Sequence, residues 1–338
     1  MTEAQAVQQA KKIHAERVVV DTVNRSLIDD AFFQHIKEGG VGLLGRTILV
    51  SSGDVFSPFG YAESLRDITQ TLQIIEQHPD ELILVKTAAD IKTARETGRT
   101  GLYIYFQSPE PFETQLWRVR LFYELGLRVV QLTYNQRCLI GDGCAERHDG
   151  GLSDLGVDLI KICNELGIVV DVSHCGHNTT MEAMEVSKTP VLITHANSRV
   201  LCDNRRCKTD EEVVRCAAQG GVVGVQALRS FLGGDSPTIG RMLDHIDHYV
   251  KLVGIDHVGL GLDLTTGHEF DDFSLLGYKP EMYQDLWKDG VQLYLEGMEN
   301  VGKIPAITAG LLARGYTEGD TRKIIGENFA RVLGQVWG

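Results

Sequence analysis

The chain has 338 residues, and its 46 aspartates and glutamates outweigh 33 lysines and arginines to give a formal net charge of −13. An acidic chain lacks the clustered basic side chains that bind phosphate backbones, so nucleic-acid binding is excluded as its main function. A hydrophobic content of 43% is enough for a large core and excludes intrinsic disorder.

The first 17 residues predict an amphipathic helix that extends in front of the fold. This stretch has no apolar core and no small-residue cleavage site, so it does not look like a secretory signal. No segment approaches the run of about 18 apolar residues that a membrane-spanning helix needs. The seven cysteines include no CxxC pair, which is typical of a reduced intracellular protein. We therefore expect a cytoplasmic protein with no membrane partner.

Short runs rich in β-branched residues recur along the chain, at residues 17–21, 47–51, 102–106, 128–134, 168–174, 190–195, 221–227 and 257–263. Most are continuously apolar, as strands covered on both faces should be. Eight strands alternating with helices predict an α/β fold, the (β/α)8 TIM-type barrel; a doubly wound open sheet is the alternative.

Helical periodicity lies between these runs, most clearly at 152–166, 210–219 and 242–253. Thr209 is placed to cap the second of these helices. Residues 265–338 predict a long final excursion, with a helix near 280–301 and a closing helix over 317–335, so that 1–338 forms a single barrel domain. The glycines at 39–45 lack the lysine and the spacing of a phosphate-binding loop, and we interpret them as a turn.

The predicted strand ends carry the residues best suited to chemistry, because catalytic residues of such barrels lie at the C-terminal ends of strands. The fifth and sixth strands end in His174 and His195, and the eighth ends in Asp263. Neutral imidazoles on neighbouring strands suit Zn²⁺ or a similar ion, and an aspartate can ligate that ion or take a proton from water. For either histidine alone, a hydrogen-bonded core or rim residue is the simpler explanation.

Arginines and a polar loop accompany these strand ends. Arg206 could hold a substrate carboxylate with its planar fork, although a solvated surface residue is an equal alternative. The loop over 137–149 could cover the site as a lid. His148 and His177 are better explained as surface and helix-start residues, and Cys175 as a packed thiol.

Six segments carry a family resemblance: GLSDLG at 151–156, IVVDVSH at 168–174, ITHANS at 193–198, NRR at 204–206, GIDHVGLGLD at 254–263 and GENFARV at 326–332. With them the chain resembles the membrane dipeptidase (renal dipeptidase) family of metallopeptidases, from about residue 18 to the C-terminus. The resemblance implies an amidohydrolase-like barrel that holds two zinc ions, hydrolyses dipeptides and forms a homodimer. It implies that His174 and His195 ligate one zinc ion, that Arg206 binds the substrate carboxylate, and that Asp263 contacts the other zinc ion and transfers protons.

The chain departs from the family pattern at the first metal site. Val23 and Arg25 stand where the family has a His-x-Asp pair, Gln107 where it has a bridging glutamate, and Tyr134 where it has a substrate-contacting histidine. Loss of two anionic ligands weakens cation binding, because carboxylate charge offsets that of the ion. We therefore expect a divergent bacterial-type branch with one zinc ion per chain.

The leading hypothesis for function is a hydrolase that acts on a dipeptide or related small carboxylated amide through a metal-activated water. Asp263 would carry the proton, and Gln107, Tyr134 and Asn135 would supply neutral hydrogen bonds to the substrate. Two alternatives stay open. One is a metal-independent acid/base enzyme (an isomerase, lyase or cyclase), and the other is a non-catalytic binding protein.

Overall fold

Parallel strands form the centre of the molecule. The computed structural model describes residues 1–48, 60–234, 237–267 and 293–338. Over these ranges the strands are β1 (Val19–Asn24), β2 (Val41–Ile48), β3 (Leu82–Leu84), β4 (Thr100–Phe106), β5 (Leu127–Gln131), β6 (Val169–Asp171), β7 (Val223–Val225) and β8 (Val258–Leu260).

The strands curl into a barrel. Five of them pair in the order β1-β2-β4-β5-β6, while the short β3 pairs with the start of β4, and β7 pairs with β8. Isolated parallel β-bridges connect the remaining neighbouring strands of the barrel. Leu192 pairs with Asp171 of β6 and Ile193 with Val223 of β7, and Leu264 beyond β8 pairs with Asn24 of β1. The predicted (β/α)8 TIM-type barrel is confirmed, with residues 192–193 in the place of the predicted sixth strand.

The second strand begins earlier than its sequence pattern predicts. The interpretation of residues 39–45 as a turn holds for Gly39 and Gly40 only, because β2 starts at Val41 and pairs in register with β4 through Gly45 and Tyr103. Gly45 is required by close approach: a Cβ there would overlap the carbonyl oxygen of Thr22 and lie 2.7 Å from the Tyr103 hydroxyl. The end of that predicted strand, beyond residue 48, lies outside the described residues.

Helices surround the strands, and within the described ranges they are α1 (Glu3–Ala15), α2 (Asp30–Glu38), α3 (Tyr61–Gln77), α4 (Ala88–Thr97), α5 (Trp117–Glu124), α6 (Asp154–Leu166), α7 (His177–Val186), α8 (Asp210–Ala218), α9 (Ile239–Val253), α10 (Ile304–Ala313), α11 (Glu318–Arg322) and α12 (Asn328–Trp337). The helices predicted from residues 1–17, 152–166, 210–219 and 242–253 correspond to α1, α6, α8 and α9. Thr209 caps α8 in a capping box with Glu212, as expected. No helix in the described part of the chain is long and apolar enough to span a membrane.

The predicted closing helix is divided into two by a wide turn. Residues Lys323–Glu327 form a π-helical turn between α11 and α12. The buried face of α12 includes Phe329 and Trp337 and packs against the apolar residues inside the barrel. The Asn328 side chain donates hydrogen bonds to the carbonyls of Ile255 and Val258 at 2.7 and 2.8 Å, which fixes the start of β8. Residues 280–292 of the helix predicted near 280–301 lie outside the described residues, and the prediction is wrong for residues 293–300, which form turns and an isolated bridge.

Candidate functional site

Three side chains converge at the C-terminal ends of the strands. His174 follows β6, His195 follows the 192–193 segment, and Asp263 follows β8. The Nε2 atoms of the two histidines are 2.9 Å apart, and Oδ2 of Asp263 lies 3.9 Å from Nε2 of His195. Among the residues that the structure describes, this is the one group of three or more His, Cys, Asp or Glu side chains that could hold a metal ion, with ligand atoms within 4.8 Å of one another.

Each histidine is oriented through its other ring nitrogen. Nδ1 of His174 contacts Oδ1 of Asn135 at 2.8 Å, and the Tyr134 ring stacks on the imidazole with centroids 4.3 Å apart. Nδ1 of His195 contacts Oγ1 of Thr194 at 2.7 Å. Metal-binding histidines commonly make such hydrogen bonds on the far side of the ring. Both Nε2 atoms are therefore directed towards the same point.

The two imidazoles are neutral. Burial lowers the pKa of His174 and of His195 well below the usual value, and the positive charge of Arg206 lowers both further. The Nε2 atoms of these neutral rings, 2.9 Å apart, share one hydrogen, and a divalent cation that takes its place would be bound by both nitrogens. Together with the Asp263 carboxylate, this donor set fits zinc.

Asp263 is held in an unusual backbone conformation. Its φ angle is +60°, and that of Asn135 is +59°, in the left-handed region that favours glycine. Asn135 contacts His174, and Asp263 lies beside His195. The backbone strain is therefore located at the two residues that flank the histidine pair. Burial raises the pKa of Asp263 to about 7, although Arg206 and a hydrogen bond from Gln107 oppose the shift.

Gln107 lies between the histidine pair and Asp263. Its Nε2 is 3.3 Å from Nε2 of His195 and 3.5 Å from Oδ1 of Asp263. A neutral amide at this point supplies no charge to hold a second cation. Val23 is buried among the apolar residues inside the barrel and offers no ligand atom, and the buried Arg25 carries a positive charge.

Arg206 packs against the backbone of the two segments that carry the histidines, and it is 1% exposed. Its guanidinium donates hydrogen bonds to the carbonyl oxygen of Ser173 at 2.9 Å and to that of His195 at 2.7 Å. The alternative that Arg206 is a solvated surface residue is therefore wrong. The neighbouring Arg205 is exposed.

The remaining sequence candidates lie outside the cluster. His148 is exposed, and His177 begins α7 with Nδ1 3.8 Å from a carboxylate oxygen of Glu212. Burial raises the pKa of the Cys175 thiol to about 12, which agrees with a packed, unreactive cysteine. The loop over 137–149 is joined to the site, because the backbone N–H of Cys144 donates to the carbonyl of His174 at 2.8 Å.

Sequence reasoning missed the polar residues that lie beneath the histidines. Asp171, Ser173, Thr194 and Tyr105 form a buried hydrogen-bond network directly below His195. The carbonyl oxygen of Thr194 accepts from the Thr22 hydroxyl at 3.0 Å and packs against Gly261, where a Cβ would overlap that oxygen. The available signal was the threonine directly before His195 and the aspartate three residues before His174.

Comparison with known proteins identifies the family. The model of the membrane dipeptidase family, peptidase family M19, matches residues 7–291 and 284–337. The chain belongs to this family.

Individual relatives agree with this assignment. The chain is 29% identical over 280 residues to dipeptidase verJ of Clonostachys rogersoniana, an alignment that covers 81% of this chain and 66% of that protein. An amidohydrolase from Pseudomonas aeruginosa superimposes with a TM-score of 0.88 at 35% identity, covering 97% of this chain and 99% of the other. A metallopeptidase from Rhodobacter sphaeroides, solved with a phosphinate mimic of the dipeptide L-Ala-D-Ala, has the same fold, with a TM-score of 0.79 at 22% identity over 94% of this chain and 99% of the other.

Proposed function

We propose that the protein is a zinc-dependent hydrolase that cleaves the amide bond of a dipeptide or a closely related small carboxylated amide. The observation that carries this proposal is the pair of neutral imidazoles whose Nε2 atoms face each other at 2.9 Å beside the Asp263 carboxylate. Membership of the membrane dipeptidase family supports the reaction type. A bound zinc ion would polarise the scissile carbonyl and make water a stronger nucleophile at neutral pH.

Asp263 is the proton carrier in this proposal. A group that transfers a proton in catalysis must lie within reach of the reacting atoms. Oδ2 of Asp263 lies 3.9 Å from Nε2 of His195, beside the point where zinc would bind, and the side chain keeps 19% of its surface exposed, so it can exchange a proton with substrate. In this role Asp263 takes the proton of the attacking water and hands it to the leaving amine.

Neutral and cationic groups around the cluster would bind the substrate. Arg206 supplies positive charge close to both histidines and would attract the free carboxylate of the substrate. Tyr134 lies against His174, and Asn135 and Gln107 each contact one of the histidines. These three residues would contribute uncharged hydrogen bonds to the amide and the carboxylate.

The proposal includes one zinc ion per chain. The amide of Gln107 and the apolar side chain of Val23 do not provide the anionic ligands that offset the charge of a second ion. We also propose that 1–338 acts as one barrel domain in a cytoplasmic homodimer, and that its partner molecule is the small substrate.

Elemental analysis combined with a turnover screen tests the proposal. Protein purified without chelators should contain close to one zinc ion per chain, and it should hydrolyse at least one member of a panel of L,L- and L,D-dipeptides. Removal of the metal with EDTA should abolish turnover, and added zinc should restore it.

Other outcomes of the same experiment contradict the proposal. Turnover that survives exhaustive chelation would point to metal-independent acid/base chemistry. Absence of both metal and turnover, in a protein that still binds a dipeptide in calorimetry, would point to a non-catalytic binding protein.

A further inference from the structure

The hydroxyl of Thr194 connects a buried carboxylate to an imidazole. Its Oγ1 lies 2.8 Å from Oδ2 of Asp171 and 2.7 Å from Nδ1 of His195. A hydroxyl has one proton to donate, whereas its oxygen can accept from more than one partner. The direction in which the Thr194 proton points therefore decides which nitrogen of His195 carries hydrogen.

The surroundings of Asp171 fix that direction. Its Oδ1 accepts from the backbone N–H groups of Ser173 and Thr194 at 3.1 and 2.9 Å and from the Ser173 hydroxyl at 2.6 Å. Its Oδ2 accepts from the hydroxyls of Tyr105 and Thr194 at 2.5 and 2.8 Å. All of these groups donate to a carboxylate that is completely buried, where an unmade hydrogen bond is costly. The hydroxyls of Ser173 and Tyr105 also lie near Oγ1 of Thr194, at 3.1 and 3.4 Å, but these contacts are longer than the 2.8 Å contact with Asp171. The Thr194 proton therefore points to Asp171.

The oxygen of Thr194 must then accept at its contact with His195. The ring supplies that hydrogen only as Nδ1–H, which leaves the lone pair on Nε2, the atom that faces His174 and Asp263. We propose that Asp171 and Thr194 are positioning residues that lock His195 in the Nδ1–H tautomer, with its Nε2 lone pair permanently aimed into the metal site. The role of this tautomer in metal binding rests on the proposed function, whereas the tautomer itself does not.

The same lock is absent from the second histidine. Nδ1 of His174 contacts the side-chain amide of Asn135, and an amide carries both an acceptor and a donor. By turning over, Asn135 can satisfy either tautomer of His174, whereas the Asp171 carboxylate can only accept. His195 is therefore the ring whose tautomer is fixed, whereas His174 can take either tautomer.

The tautomer of His195 can be measured directly by nitrogen NMR on protein labelled with ¹⁵N-histidine. In the metal-free protein at neutral pH, His195 should show a protonated Nδ1 and an unprotonated Nε2, with its signals identified by their loss in His195→Asn. Thr194→Val has nearly the same shape but no hydroxyl, and it should shift His195 towards the Nε2–H form. Thr194→Ser keeps the hydroxyl and should retain the original tautomer.

Zinc affinity provides the second readout, measured by competition with a chromogenic chelator. Thr194→Val should weaken binding by about 10–100-fold, the usual effect of removing a hydrogen-bond partner of a metal ligand. Thr194→Ser should bind about as tightly as the unchanged protein. Thr133→Val is the matched control, because the Thr133 hydroxyl contacts the carbonyl oxygen of His174 at 3.4 Å rather than an imidazole nitrogen. It should leave zinc affinity unchanged.

Each outcome decides the inference. An Nε2–H tautomer of His195 in the unchanged protein overturns it, and this measurement does not depend on whether any variant folds. Unchanged tautomer and affinity in a folded Thr194→Val overturn it as well. If the unchanged protein binds no zinc, the proposed function fails, while the NMR tautomer of His195 still supports or overturns the lock.

Discussion

The guanidinium of Arg206 donates a hydrogen bond to the carbonyl oxygen of His195 at 2.7 Å, so a buried positive charge is fastened to the backbone of a proposed metal ligand. The same guanidinium donates a hydrogen bond to the carbonyl oxygen of Ser173, and it thereby links the segment after β6 to the segment that carries His195. Its charge also disfavours protonation of both imidazoles. Burial is the main reason that the pKa of His174 and of His195 is lowered, and Arg206 adds to it, so both rings stay in the neutral form that can bind a metal.

Replacement of Arg206 should therefore affect stability as well as substrate binding. Arg206→Met leaves two buried carbonyls without their charged donor, and we expect the free energy of unfolding to fall by about 2–5 kcal/mol in urea titrations. Arg206→Lys keeps the charge but cannot reproduce the planar fork, and it should recover only part of the loss. If Arg206 also binds substrate, Arg206→Lys will reduce the preference for a free carboxylate over a C-terminal amide in KM. An unchanged preference would assign Arg206 to a structural role alone.

Loss of either histidine should remove the metal. Each of His174→Gln and His195→Gln deletes one imidazole ligand, and we expect zinc affinity to fall by at least about 100-fold, more than for a residue that only supports a ligand. The measurement is competition with a chromogenic chelator. His248→Gln is a suitable control, because His248 pairs with Asp210 on the surface of α8 and α9. Equal zinc content in all three variants would contradict the proposed metal site.

Neutralising Asp263 should reduce turnover more than binding. Asp263→Asn retains an oxygen but cannot accept a proton near neutral pH, so kcat at saturating zinc should fall by about 10²–10⁴-fold. The control is Asp158→Asn, an exposed carboxylate on α6. A kcat within error of the unchanged protein would remove Asp263 from the proton-transfer step.

Gln107 offers the opposite test, a gain of metal binding. Gln107→Glu places a carboxylate between His195 and Asp263, and the added negative charge should tighten binding of divalent cations by about 10-fold or more. Gln107→Met has similar length without charge and should not tighten it. Titration with zinc while counting bound ions would show whether the glutamate also creates a second site. Equal affinity in Gln107→Glu and Gln107→Met would mean that charge at this position does not limit binding.

His245 predicts a dependence of stability on pH. Its Nδ1 accepts from the backbone N–H of Ser198 and its Nε2 donates to the carbonyl of Leu232, both at 3.0 Å, so the ring must be neutral in the fold. Burial lowers the pKa of His245 to about 4, from 6.5 in the unfolded chain. The unfolded state therefore binds the proton more readily, and the contribution to stability is complete above pH 6.5 and is lost as the pH falls towards 4.

The size of this effect can be isolated by subtraction. Between pH 7 and pH 4.5, His245→Gln should lose less stability than the unchanged protein, by on the order of 1–3 kcal/mol in urea unfolding. His148→Gln, at an exposed position, should follow the unchanged protein. Parallel curves for His245→Gln and the unchanged protein would contradict the assignment.

The barrel and the strand-end histidines were predictable because both depend on local patterns. Continuous apolar runs marked most of the strands, and the polar residue after each run marked the mouth of the barrel, which gave His174, His195 and Asp263. The start of β2 was not predictable, because the glycines there look like a turn. Gly45 is needed for its close contact with Thr22 on another strand, which the sequence does not show. The hydrogen bond from Thr194 to Asp171 was hidden for the same reason: it joins residues 23 positions apart.

The close packing of Gly261 against the carbonyl oxygen of Thr194 leaves no space for any larger residue at the base of the site. Substitution of Gly261 therefore offers no route to a new substrate, because any added atom would displace the segment that carries Thr194 and His195. The loop over 137–149 is restricted in the same way at Gly143, where a Cβ would overlap the backbone of Asn135. Because Asn135, a proposed substrate contact, also contacts the proposed metal ligand His174, a change in substrate preference at this site also disturbs metal binding.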